Sequence, residues 1–464
     1  MLDQKIAQEV IDCALSTGGD FAEIFYEDRL NNGVMMRSGK VESINSGRLH
    51  GAGVRVYLGL RGVYVYTNDT TREGLLACAR RAASALHADS RVTAQPLRAT
   101  EYVNCHPIAI LPSQVKTARK IEKMRAAQGV LSQYDEVVQG MIRYTDSEQR
   151  VWIANSDGLY TSDTRVYTRM SISAIASNGT ENQTGTSNPG ALQGFEIFDS
   201  RIDPEAAAHK AAKQAITMLH APVCPAGIMP VVIDNGFGGV IFHEACGHSL
   251  EATSVAYGNS VFCGKLGQKV ASELVNAVDD GTIPHAWGSN NIDDEGYPCR
   301  RNLLIENGIL KGYLIDPLNA RRMEMEATGS SRRQDYTFEP TSRMTNTFLL
   351  NGTSTVEEII ADTSLGLYAK RLGGGSVNPV TGDFNFAVLE AYMIRGGQIA
   401  EPVRGATLIG NGAEILFKID KIADNGSREQ GMCGSKSGSI PTDVGQPTIR
   451  VRSMTVGGKG GKLK

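Results

Sequence analysis

Two imidazoles and a carboxylate fall within six residues at Ile241-Phe242-His243-Glu244-Ala245-Cys246-Gly247-His248, directly after an apolar run. Only eight histidines occur in the chain, and no other two stand so close together. This is the composition of a metal-hydrolase centre. Neutral imidazoles ligate zinc, the metal brings a bound water to near-neutral acidity, and Glu244, beside a ligand without being needed as one, is placed to act as general base.

The spacing constrains the local structure. Histidines five apart lie about 140° from each other on an ideal helix, so one ion reaches both only if the helix ends, kinks or bulges between them. Gly247, immediately before His248, is the residue most permissive of that distortion. On a regular helix the partner of His243 would instead be Cys246, three residues on, and spacing leaves both pairings open. A helix whose histidines only bond backbone is the bland alternative.

Several residues outside this stretch could join such a site. Cys433 stands in the flexible loop Gly431-Met432-Cys433-Gly434-Ser435, where a thiolate could reach a distant helix, although a buried free cysteine is the commoner fate. Glu251, three residues after His248, is either a further ligand, an acceptor from an imidazole N–H, or an exposed helical glutamate. Gly373, Gly374 and Gly375 precede no Gly-Lys-Ser/Thr and so do not form a nucleotide loop. They would let an extended peptide approach as an added strand, with Phe384 and Phe386 on one face of the strand that follows, or they form a tight hairpin with core phenylalanines. His285 has no neighbouring partner and reads as structural.

The elements that must position these residues follow from periodicity. Leu2, Ile6, Val10 and Ile11 mark an amphipathic helix; segments 21–68 and 137–198 alternate as antiparallel strands; helices are expected near 70–88, 113–131 and 204–219. The proline- and glycine-bearing segment 220–227 interrupts every period and sets the expected boundary between an N-terminal α+β domain (1–220) and a β-rich domain (221–464). In the second, residues 231–234 form a short strand, 235–239 a turn, and the histidine helix starts near Val240. The glycine-rich basic end 457–464 reads as disordered.

A chain of 464 residues with 41% hydrophobic and 21% charged residues is globular and large enough for two cores. Its formal net charge of −3 gives no basis for a nucleic-acid or anionic-membrane partner. No apolar run reaches membrane-spanning length, the start lacks a basic region followed by an apolar one, and the eight cysteines are scattered without paired spacing, so a cytoplasmic protein with free thiols is expected.

Taken together, residues 243–248, the stretch 373–386 and Met432-Cys433-Gly434 resemble the TldD/PmbA family, and the resemblance runs over essentially the whole chain, including Tyr66-Thr67-Asn68 and Ala154-Asn155-Ser156-Asp157-Gly158. It implies a cytoplasmic zinc metalloprotease acting on peptides, one Zn2+ per catalytic subunit, ligands His243, His248 and Cys433, and Glu244 as base. Possession of the motif marks the TldD-like, catalytic type, paired with a motif-less PmbA-like subunit or with its own copy. The substrate would be an unfolded peptide. The rival is a non-catalytic regulator with a structural zinc, of the gyrase-modulator kind, and the count of protein ligands separates the two.

Overall fold

The computed structural model describes residues 1–88, 92–378 and 381–461; Pro379 and Val380 of the glycine-rich stretch and residues 462–464 of the basic end lie outside them. The fold is α+β, with an antiparallel sheet and its helices first and a β-rich region carrying the histidine helix second.

The first sheet is built on four unusually long strands, β1 (Phe21–Arg37), β2 (Lys40–Leu58), β4 (Val137–Asn155) and β5 (Leu159–Ser177), with the shorter β3 (Arg61–Thr67) and β6 (Asn182–Ser187) at its sides. They lie in the order β3-β2-β1-β4-β5-β6, every pair antiparallel. Two helix pairs cover it. Helices α1 (Gln4–Ala14) and α2 (Arg72–Ser84) pack on one stretch through Val10, Ile11, Leu75 and Ala79, and α3 (Thr117–Leu131) and α4 (Pro204–His220) on another through Met124, Leu131, Ala208 and Ala212. Their starts are fixed in the usual way: Asp3 accepts from two first-turn amides of α1, and Asp203 does so for α4 with Pro204 at its first position.

The second region contains a closed five-stranded barrel. Strand β7 (Gly227–Ile233) lies between the C-terminal strand (Ile449–Gly457) and Leu365–Val377, which pairs with Asp383–Arg395; Thr407–Asn411 then closes the ring. Val231, Leu367, Phe384, Phe386 and Val451 belong to the core inside it. A second sheet runs through Arg301–Glu306, Ala277–Asp280, Asn346–Leu349, Gly438–Gln446 and Ser427–Ser435. The histidine helix leaves β7 and lies between barrel and sheet, and a helix not foreseen from periodicity, Gly412–Lys418, packs beside it. The reading of the chain end as disordered fails for its first part: the last strand runs to Gly457, the Gly460 amide donates to the Cys224 carbonyl at 3.0 Å and the Ala226 amide to Gly461 at 2.8 Å.

Buried ion pairs join the two regions. Arg55 of β2 bridges Glu23 and Glu295, Arg165 of β5 bridges Asp163 and Asp294, and Arg333 pairs with Glu23. No helix of the described residues is long and apolar enough to cross a membrane.

Candidate metal centre

The distortion that the histidine spacing demands is present. Val240–Phe242 is α-helical, His243–Gly247 is a π turn and His248–Leu250 a tight 3-10 turn. The His248 amide donates to the His243 carbonyl, five residues back, which brings the two side chains onto one face. Their ring centroids are 5.1 Å apart with planes at 83°. Gly247 serves the packing as much as the bend, because a Cβ there would lie 2.2 Å from the Met344 sulfur.

Cys433 completes the cluster from far along the chain. It sits on the hairpin of Ser427–Ser435 and Gly438–Gln446, opposite Ile440. Its Sγ lies 3.2 Å from His243 Nε2 and 3.3 Å from His248 Nε2, and the three donor atoms lie within 4.8 Å of one another. Tetrahedral zinc with Zn–S of about 2.3 Å and Zn–N of about 2.0–2.1 Å separates S and N by roughly 3.6 Å and the two N by roughly 3.3 Å, so each S···N pair needs to part by a few tenths of an ångström while the two imidazole nitrogens, within 4.8 Å, draw together by rotation of their rings. The donor chemistry and the spacing therefore fit zinc.

Electrostatics favour the ligating form of the sulfur. Burial alone would raise the Cys433 thiol, but the adjoining His243 and His248 outweigh it and bring it down to about 3. Burial would lower His248, yet Glu251 and Cys433 carry it well above its ordinary value. Glu251, almost fully buried, places Oε2 3.1 Å from His248 Nδ1, which leaves Nε2 facing Cys433. Arg343, also buried, donates to the Cys433 carbonyl at 2.6 Å and brings Nε to 3.9 Å from Glu251, so one guanidinium ties the two supports together. Nothing in the local sequence points to Arg343 or Met344; only the tertiary fold brings them here.

Glu244 is the one acidic side chain at the cluster with substantial exposure, 28%, and its Oε2 stands 3.8 Å from His248 Nε2. Cys246 is not brought to the cluster: its thiol, raised by burial, contacts the Gly412 carbonyl at 3.6 Å. His285 is structural, its Nδ1 lying 3.0 Å from the Leu192 carbonyl.

The glycine-rich hairpin needs correction. Phe384 and Phe386 do share a face, with ring centroids 5.4 Å apart, but that face is the barrel interior and the rings are 2% and 0% exposed, so they cannot contact a docked peptide. Gly375 is a packing residue too, since a Cβ there would lie 2.2 Å from the Phe386 ring. Gly373 and Gly374 differ. They line a groove of about 610 Å3 whose opposite wall includes Gln430, Gly431 and Met432, next to Cys433. Their strand pairs with β7 only over Leu367, Tyr368 and Ala369, so beyond that its outer edge has no strand partner among the described residues.

Three family models cover most of the chain: PmbA/TldA metallopeptidase domain 1 over residues 22–86, the central domain over 110–219 and the C-terminal domain over 226–458. A "Metalloprotease TldD homolog" of Haemophilus influenzae is 36% identical over 454 residues, covering 95% of this chain and 93% of that one. A "Zinc metalloprotease TldD homolog" of Saccharolobus solfataricus is 31% identical over 266 residues, 57% of this chain and 58% of its own. Among solved structures, TldE from Thermococcus kodakarensis superposes with a TM-score of 0.78 over 97% of this chain and 99% of that one, at 18% identity, and so shares the fold.

Proposed function

Because the chain belongs to the TldD/PmbA family of metallopeptidases, we propose that it is a zinc-dependent peptidase that hydrolyses flexible, extended peptides in the cytoplasm, with His243, His248 and Cys433 as ligands and Glu244 as general base. The observation that carries this reading is the meeting of the three donor atoms beside a partly exposed carboxylate. When bound, zinc supplies Lewis acidity toward a carbonyl oxygen and acidifies water. Glu244 takes the proton of the attacking water and returns it to the leaving amine. Glu251 and Arg343 hold His248 and the Cys433 strand in place meanwhile.

Three protein donors among the described residues leave a place for water, whereas a closed structural site uses four; the donor set therefore supports catalysis over the regulatory alternative. The unpaired strand edge at Gly373 and Gly374, beside the strand bearing Cys433, supports a substrate held by main-chain pairing. The working unit is a dimer with a motif-less PmbA-like subunit or with a second copy, and digestion by the protein alone and mixed with such a subunit distinguishes them.

Glu244→Gln tests the assignment: zinc content by metal analysis should stay at wild-type level while cleavage of an unstructured peptide falls by about two to four orders of magnitude. Undiminished cleavage would remove Glu244 from the mechanism.

A further inference from the structure

Five arginines are buried in the described structure. Four of them face a carboxylate: Arg55 pairs with Glu23 and Glu295, Arg165 with Asp163 and Asp294, Arg333 with Glu23, and Arg343 with Glu251. Arg332 is the exception. It is 3% exposed, forms no ion pair among the described residues, and donates through Nη1 alone, to the Met344 carbonyl at 2.7 Å. A buried guanidinium in a protein is ordinarily neutralised by a carboxylate, because removing the charge from water is otherwise uncompensated.

What Arg332 does face is a cavity. It lines a space of about 730 Å3 between the first sheet and the second region, together with the aromatic rings of Tyr167 and Trp287 and the apolar Met432 and Ile440; of the other arginines in the lining, Arg29, Arg165 and Arg333 are held by carboxylates and Arg143 is exposed, so Arg332 is the buried cation there without one. Both acids in the lining are already engaged, Asp294 by the Arg165 guanidinium and the Arg333 amide and Asp146 by the Lys120 ammonium. Met432 also lines the groove that runs past Gly373 and Gly374, so groove and cavity meet at the residue preceding Cys433. A guanidinium offering free N–H groups, flanked by rings and aliphatic side chains, matches an organic carboxylate, with planar two-point hydrogen bonding at one end and an apolar body behind it.

We propose that this cavity is a carboxylate-binding site, with Arg332 as its cation, that anchors one end of the peptide passing the metal centre. The carboxylate comes from the peptide's C-terminus or from an acidic side chain near it. Arg332 acts here as a positioning and specificity residue and takes no part in proton transfer. The ligand class rests on the peptidase reading, so the experiment reads binding and not turnover.

Three N-acetylated peptides of the sequence Ala-Val-Leu-Phe serve as probes: the free acid, its C-terminal amide, and the amide with Val replaced by Glu. Each is titrated into full-length, zinc-loaded protein carrying Glu244→Gln, following the fluorescence of Trp287 in the cavity wall with Trp152→Phe as background. The free acid should bind about tenfold to a hundredfold more tightly than the plain amide, the range expected for hydrogen bonds to a charged group. Arg332→Gln should erase the difference, and Arg332→Lys should restore part of it. Tight binding of the Glu-containing amide would assign the carboxylate to a side chain, and its weak binding to the C-terminus. Equal binding of all three, failure of all three to bind, or discrimination that survives Arg332→Gln in a protein of unchanged circular dichroism would each overturn the proposal. Should Arg332→Gln not fold, Arg332→Met, which keeps the apolar stem without the charge, is read in its place, and a three-peptide pattern unchanged from the parent protein would overturn the proposal. Cleavage of the same peptides with Glu244 intact is scored separately, so loss of the peptidase reading and loss of the anchor give different results.

Discussion

The histidine helix and the glycine-rich hairpin stand side by side in the second region and are built on opposite principles. In the helix, an irregular turn brings together donor atoms that regular geometry would keep apart, and polar groups behind two of them hold them in place: Glu251 behind His248, and Arg343 behind the Cys433 strand. In the hairpin, the same kind of sequence irregularity mostly relieves crowding, with Gly375 making room for the buried Phe386 ring. The difference is one of converging chemistry. Glycine allows a site where reactive groups meet, and elsewhere it allows packing.

The largest effect that can break this contrast is loss of the metal. Cys433→Ser should lose stoichiometric zinc, because the thiolate favoured by two imidazoles is replaced by a hydroxyl that does not ionise near neutrality. Cys246→Ser should keep it, since that thiol faces the Gly412 carbonyl. Zinc content measured on both purified variants decides; equal values, or the reverse order, refute the ligand set.

A smaller effect comes from the turn itself. Gly247→Val would push its side chain onto the Met344 sulfur and load the π turn, so zinc affinity should fall and stability drop by about 1–3 kcal/mol, the usual cost of overpacking. Competition with a chelator and a thermal melt with and without zinc measure the two parts. An unchanged zinc affinity would mean that the donors converge without help from the close approach at Gly247.

How much of this was legible in the sequence depended on range. Residues 243–248 carried their own geometry, since a separation of five forces a break in the helix, and the break is there. The alternating strands and the helices of the first region were readable from period alone, as α1 and α4 show. Cys433 was not derivable from spacing: it lies 190 residues from His243, and only likeness to a family singled it out over Cys246. Arg343 and Arg332 carried no signal, because a buried arginine looks like any other until the fold shows which carboxylate it faces. Phe384 and Phe386 were read correctly as sharing a face, but a period of two does not say which face is inside.

The smallest and most discriminating effects lie within the hairpin, between two adjacent glycines. Gly375→Ala should destabilise the fold by about 1–3 kcal/mol, because its Cβ would meet the Phe386 ring at 2.2 Å and the Asn385 carbonyl at 2.3 Å. Gly374→Val should leave melting temperature and zinc content unchanged, since nothing lies within 4 Å of a Cβ there and the side chain projects into open space beside the groove. Only the approach of a second backbone to the open strand edge would be obstructed. In steady-state cleavage of one flexible peptide, KM should therefore rise several-fold with kcat nearly unchanged, the pattern of a binding contact equally present in ground and transition states. Unchanged KM in a folded, zinc-loaded Gly374→Val protein would move the peptide away from this edge, and all three glycines would then be packing residues of a tight hairpin.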